Sequence, residues 1–323
     1  MGLGLLFPGQ GTQHVGTLPW LETGDPPKRV LAGMAAVLGA DWRVRLNDPA
    51  WSRRNAVAQP LLTGLCLAAW EALAPLLPAP RVVAGYSVGE LAAFSAAGVF
   101  TAEVALRLAQ QRAERMDACV QGQDTGLLAV TGFTGAAGVM GVTGVTGDTP
   151  DAVDALCRQH GLALAIRIGP DRCVLGGPGA ALAAAARQAE AAGATGTRLA
   201  VAIASHTPWL AGAVPSFAGV LVGEVFDRPQ AALVCNHGAG VLRRPDDLRQ
   251  ALAGQIASTL RWDRCMDTVA ERGPVCLLEV GPGNTLARMW RVRHPAIPVR
   301  SLDDFHSPQA VADWVAKTLD QRR

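Results

Sequence analysis

The segment Gly85-Tyr86-Ser87-Val88-Gly89 sets a serine between two glycines, directly after the apolar run RVVAG at 81–85 and before a helical pattern that opens at Glu90. In that setting GxSxG predicts a nucleophile elbow, a strained strand-to-helix turn that lifts the serine hydroxyl out of a sheet. The glycines remove side chains that would clash there, and the start of the next helix favours developing negative charge. The alternative is a serine in an ordinary turn, with no chemistry attached.

A serine hydroxyl is a weak nucleophile until a base takes its proton, so a histidine must reach it. The chain has six. His14 adjoins the loop PGQG, His160 falls in a central segment, and His294 and His306 lie in the polar C-terminal part. His206, in VAIASHTPW, follows what reads as a buried strand and precedes Pro208, which blocks the next helix. That matches Ser87's own position at a strand end, where open α/β sheets place their ligands. His237, after ALVCN, competes on the same rule.

A hydrolase of this kind offers an acid between serine and histidine in chain order. That interval holds Asp117, Asp124, Asp148, Asp151, Asp154 and Asp171, none at the end of a predicted main-sheet strand. The expectation is a Ser-His dyad whose imidazole is held by a backbone carbonyl. Arg112 and Arg115 fall on a predicted helix after the elbow helix. Either could clamp a substrate carboxylate through two parallel hydrogen bonds, or simply face solvent.

The elements that must position these groups follow from periodicity. LGLLF at 3–7 reads as a buried strand ending at PGQG, where glycine permits close backbone approach. Helical spacing runs from Gln59 to Leu77 and stops at Pro78 and Pro80. Thr101 is a predicted N-cap for a helix to about Val120. Beyond it, GLLAVTG, a helix at 150–160, LALAIRIG, RCVLGG, an Ala-rich helix at 179–193 and TRLAVA spell βαββαβ, the order of a ferredoxin-like unit. The chain thus predicts an α/β fold: a hydrolase-like core with a mostly parallel sheet, discontinuous over 1–126 and 199–323, and an inserted ferredoxin-like α+β subdomain at 127–198. The Gly/Thr-rich stretch 131–149 lacks GK[ST] and a well-placed GxGxxG, and reads as a flexible loop.

Composition narrows the class. Hydrophobic residues make up 50% and charged residues 17%, which suits buried parallel strands. The apolar runs are broken within about ten residues, short of the roughly 20 that span a bilayer. The N-terminus lacks the marks of a secretion signal, so a cytoplasmic protein without a membrane is expected. Seven scattered cysteines without CxxC spacing suggest core residues in a reducing compartment, and no metal site. A net charge of +2 without a basic stripe speaks against nucleic acid.

Several of these segments occur together in one family. FPGQGTQ, AQPLL, GYSVGELAA, QRAERM, ASH, the RW of TLRWD and EVGPGNTL stand in order along nearly the whole chain. In this it resembles the malonyl-CoA:acyl carrier protein transacylases and related acyltransferase domains of fatty-acid and polyketide synthesis, including the malonate decarboxylase branch. The resemblance implies Ser87 as the acylated nucleophile, His206 as its base, and backbone N–H groups of Gln10 and Val88 as the oxyanion hole. It implies Arg112, over Arg115, as the partner of the malonyl carboxylate, and puts the histidine-orienting carbonyl near Arg261. It implies malonyl-CoA and a phosphopantetheinylated carrier protein as partners, and no permanently bound cofactor beyond the CoA thioester substrate; a monomer is expected.

Two departures bear on acyl preference. Tyr86 stands where the family commonly has His, and would supply a hydroxyl to the acyl or thioester group or fill space. Ile203-Ala204-Ser205 before His206 matches neither the malonyl nor the methylmalonyl pattern, and small Ala204 and Ser205 could admit an α-methyl group. The rival reading is a serine thioesterase or esterase passing the acyl group to water with the same pair. A third, a catalytically idle protein that only presents a carrier, does not explain Ser87, His206 and Arg112 together.

Overall fold

A parallel sheet covered on both faces needs near-continuous apolar strands, and the segments ending at Phe7, Gly85 and Glu279 have that character. The structure, a computed structural model, describes residues 2–23, 26–133 and 152–321. In chain order its strands are β1 (Gly2–Phe7), β2 (Val82–Gly85), β3 (Thr125–Thr131), β4 (Ala163–Arg167), β5 (Arg172–Pro178) and β6 (Thr195–Arg198). They continue with β7 (Ala232–Val234), β8 (Val241–Leu242), β9 (Leu260–Arg261), β10 (Pro274–Glu279) and β11 (Val299–Ser301).

The fold is mixed α/β with two sheets. The larger runs β11-β10-β1-β2-β7-β8, all parallel except the β7–β8 pair. The smaller runs β6-β3-β5-β4-β9, antiparallel except where β4 meets β9. Its first strand begins at Thr125, and β9 joins it from late in the chain.

Strand alternation divides the cores. On β3 and β5, Leu128, Val130, Cys173 and Leu175 pack with the helices Ala152–His160 and Gly179–Ala191. Leu127 and Val174, one residue out of phase, join Leu6, Val82, Ala84 and Trp262 in a core shared with the large sheet. The small sheet is therefore fastened over the large one.

Three sequence expectations shift. The helix predicted from Gln59 begins at Asn55 and ends at Leu73, because its first inward-facing positions, Asn55 and Gln59, are polar and hydrogen-bonded to each other. By length and composition Asn55–Leu76 could cross a membrane, but most of its apolar residues are buried in the protein core. The strand predicted at TRLAVA ends at Arg198, with one further bond from Leu199 N–H to the Leu127 carbonyl. Ile203 and Ala204 are buried outside any strand, so His206 projects from irregular chain. The Gly/Thr-rich stretch, with Asp148 and Asp151, lies outside the described residues from position 134 on.

Candidate active site

The registry of β1 and β2 places Phe7 beside Gly85, so the loop after each strand leaves the sheet at the same point. Tyr86 N–H bonds to the Phe7 carbonyl at 2.9 Å, and Gly89 packs so closely that a Cβ there would lie 2.3 Å from that oxygen. Ser87 then takes the left-handed conformation, φ 57°, which a side chain adopts only at a cost, and the helix Gly89–Ala96 follows at once. The predicted elbow has this geometry.

Asn236, two residues past the end of β7, holds the turn in place. Its Oδ1 accepts from Ser87 N–H at 2.8 Å, its Nδ2 donates to the Gly85 carbonyl at 2.6 Å, and its own N–H donates to Glu90 Oε1 at 2.5 Å. Sequence reading missed Asn236 and looked one residue further, to His237, whose side chain is exposed and apart from Ser87. The usable signal was a polar amide closing a buried strand.

Ser87 Oγ and His206 Nε2 lie 2.8 Å apart across 119 residues. His206 also has a positive φ, 62°, and its Nδ1 donates to the Gln255 carbonyl at 2.7 Å. A carbonyl only accepts, so Nδ1 carries the proton and Nε2 is left to accept from the serine hydroxyl. The orienting group is thus a backbone carbonyl, as expected, but it belongs to Gln255 rather than Arg261. Arg261 points its guanidinium at Asp263. Gln255 follows a helix in irregular chain and carries no pattern that betrays it. None of the described candidate acids bonds His206: Asp117, for one, accepts from Asn55.

The other histidines are elsewhere. His14 meets Asp303 at 2.7 Å, His160 meets Gln188, His294 meets Asp267, and His306 is exposed.

Arg112 is fully buried, while Arg115 donates to Gln111 on its own helix. Arg112 Nη1 donates to Gln59 Oε1 at 2.7 Å and Nη2 to Gln255 Oε1 at 3.4 Å, and its Nε has no partner. Both acceptors are neutral amides. Gln59 Nε2 donates in turn to Asn55 Oδ1, which also accepts from Gln10 Nε2. A polar chain therefore runs from the PGQG loop through Asn55, Gln59, Arg112 and Gln255 to His206 and Ser87. Neither Gln10 nor Val88 N–H is bonded to another described residue.

Burial governs the charges. It pushes Glu90 up to about 8, against the opposing pull of the Asn236 N–H and Arg112. It pushes His206 down to about 3, helped by the Arg112 charge and opposed by the Gln255 carbonyl. Arg112 falls to about 10 through burial, with Glu90 opposing. The imidazole is thus neutral, and the guanidinium is the dominant buried charge.

These groups open on a cleft of about 240 Å³ between the two sheets. Gln10, Tyr86, Ser87 and His206 line it; Arg112 lies behind them, in the core. The Tyr86 ring meets Trp262 edge to face at 5.1 Å, and burial raises its phenol. The arrangement can deprotonate a serine and stabilise an oxyanion with two N–H groups, with a buried cation in the core behind them.

Residues 5–236 match the acyl transferase domain family. A malonyl CoA-acyl carrier protein transacylase of Mycobacterium bovis is 31% identical over 308 residues, covering 93% of this chain and 96% of that one. The solved transacylase of Mycobacterium tuberculosis is 29% identical with a TM-score of 0.82, covering 97% and 99%. A malonyl-transacylase solved in complex with its type II polyketide acyl carrier protein is 25% identical with a TM-score of 0.84, covering 97% and 99%.

Proposed function

The chain belongs to the acyl transferase domain family, and on that premise we propose that it moves malonyl from CoA to the phosphopantetheine thiol of an acyl carrier protein through an acyl-serine at Ser87. The observation that carries the assignment is the 2.8 Å contact of Ser87 Oγ with a neutral His206 Nε2, backed by a buried Arg112 that has only amide partners.

His206 Nε2 takes the Ser87 proton as Oγ bonds to the thioester carbonyl carbon. Negative charge moves to the carbonyl oxygen, where Gln10 and Val88 N–H groups donate to it. The C–S bond breaks, the imidazolium returns its proton to the departing sulfur, and CoA leaves as a thiol. The carrier's thiol then attacks the acyl-serine by the reverse sequence, which is ping-pong exchange. Arg112 takes the free carboxylate, with Gln59 and Gln255 holding the guanidinium in plane.

The hydrolase alternative would be favoured by a carboxylate on His206; the carbonyl of Gln255 occupies that position. The strand order β6-β3-β5-β4 supports an inserted ferredoxin-like subdomain at about 127–198, with 1–126 and 199–323 as a hydrolase-like core. Seven cysteines outside any disulfide suit a reducing cytoplasm.

Intact mass after incubation with malonyl-, methylmalonyl- and acetyl-CoA tests the assignment. One malonyl group should add to the protein and none to Ser87→Ala; malonylation of Ser87→Ala would overturn it.

A further inference from the structure

We propose that Arg172 binds the phosphate of the phosphopantetheine arm. Arg172 is the one permanent charge among the described residues lining the cleft, and no described acidic side chain lines it. Its Nε is shielded from solvent yet bonded to no acceptor among the described residues. A guanidinium in that state awaits an oxygen from a ligand.

Strand register gives its distance from the chemistry. Gly176 pairs with Leu127 and packs under the residues flanking His206: a Cβ on it would lie 2.7 Å from Thr207 Cγ2 and 3.4 Å from Ala204 Cβ. Arg172 pairs with Thr131, four residues further along the same strand pair. At about 3.3 Å per residue that puts the Arg172 backbone about 13 Å along the strand from Gly176. A carboxylate one methylene from the reacting carbonyl cannot reach so far. The next negative group on a malonyl thioester lies across the neutral pantetheine arm, at its phosphate. The two cations thus match the two charged ends of one substrate: Arg112 behind the catalytic pair, Arg172 toward the end of the cleft wall.

This identification of the arm rests on the thioester reading above, but its test does not require acyl transfer. Dissociation constants for 4′-phosphopantetheine and pantetheine are measured by calorimetry on the wild type and on Arg172→Gln. The wild type should prefer the phosphorylated form about tenfold or more, and Arg172→Gln should bind both as the wild type binds pantetheine. A wild type without that preference, or a variant that keeps it, overturns the proposal. Titrating CoA and a phosphopantetheinylated carrier protein in parallel separates the sources: a loss with either supports the site and identifies whose phosphate it holds. If the preference behaves as expected while malonyl-CoA leaves Ser87 unmodified, the acyl-transfer reading fails alone.

Discussion

The backbone oxygen of Gln255 accepts from His206 Nδ1 at 2.7 Å across 49 residues of sequence, so the imidazole is oriented by an atom that no side-chain substitution removes. The same residue offers its side-chain oxygen to Arg112. Imidazole and guanidinium are therefore positioned by one short segment, and their effects can be separated by mutation.

Replacing Arg112 by Ala should cost malonyl acylation about 2–5 kcal/mol, the range for truncating a buried hydrogen-bonded charge, and leave acetyl acylation comparatively favoured. Single-turnover acylation with malonyl- and acetyl-CoA measures this. Undiminished preference for malonyl would remove Arg112 from the carboxylate site.

Gln59 donates to Asn55 and accepts from Arg112 in the core. Gln59→Leu should destabilise the fold by about 1–3 kcal/mol by leaving those groups unpaired, and should lower malonyl selectivity. Denaturant unfolding reads the first effect, and competition between the two acyl-CoAs the second. A loss of stability with selectivity intact would reduce Gln59 to a structural role.

The pH profile follows from His206. Its folded value of about 3 lies below the ordinary 6.5, so the neutral base persists well into acid. The stability this group contributes is complete above 6.5 and is lost as pH falls from there toward 3. Acylation of Ser87 should show no drop near pH 6.5, as rapid-quench rates between pH 5.5 and 7.5, on the order of two units around that value, would reveal. A half-maximal rate near 6.5 would mean a solvated imidazole.

Glu90 titrates in the opposite sense. Burial raises it from 4.5 to about 8, so the fold prefers its protonated form. Its contribution is complete below 4.5 and is eroded as pH rises through 8. Glu90→Gln keeps an acceptor for the Asn236 N–H while removing the titration. The variant's stability should change less than the wild type's between pH 5 and 8, and parallel curves would show that Glu90 is ionised throughout.

The elbow at Ser87 was legible because it is built from local geometry: a strand, two glycines and a helix start are all neighbours in sequence. The buried strands, the Thr101 cap and the βαββαβ order were legible for the same reason, since short-range periodicity and capping create them. Distant pairings had no such trace. The partnership of Ser87 with His206 over His237, the Gln255 carbonyl, the Asn236 clasp and the amide cage around Arg112 come from segments up to 151 residues apart, brought together by sheet order and a shared core. A backbone carbonyl has the same composition at every residue, so only the folded chain decides which one faces the imidazole.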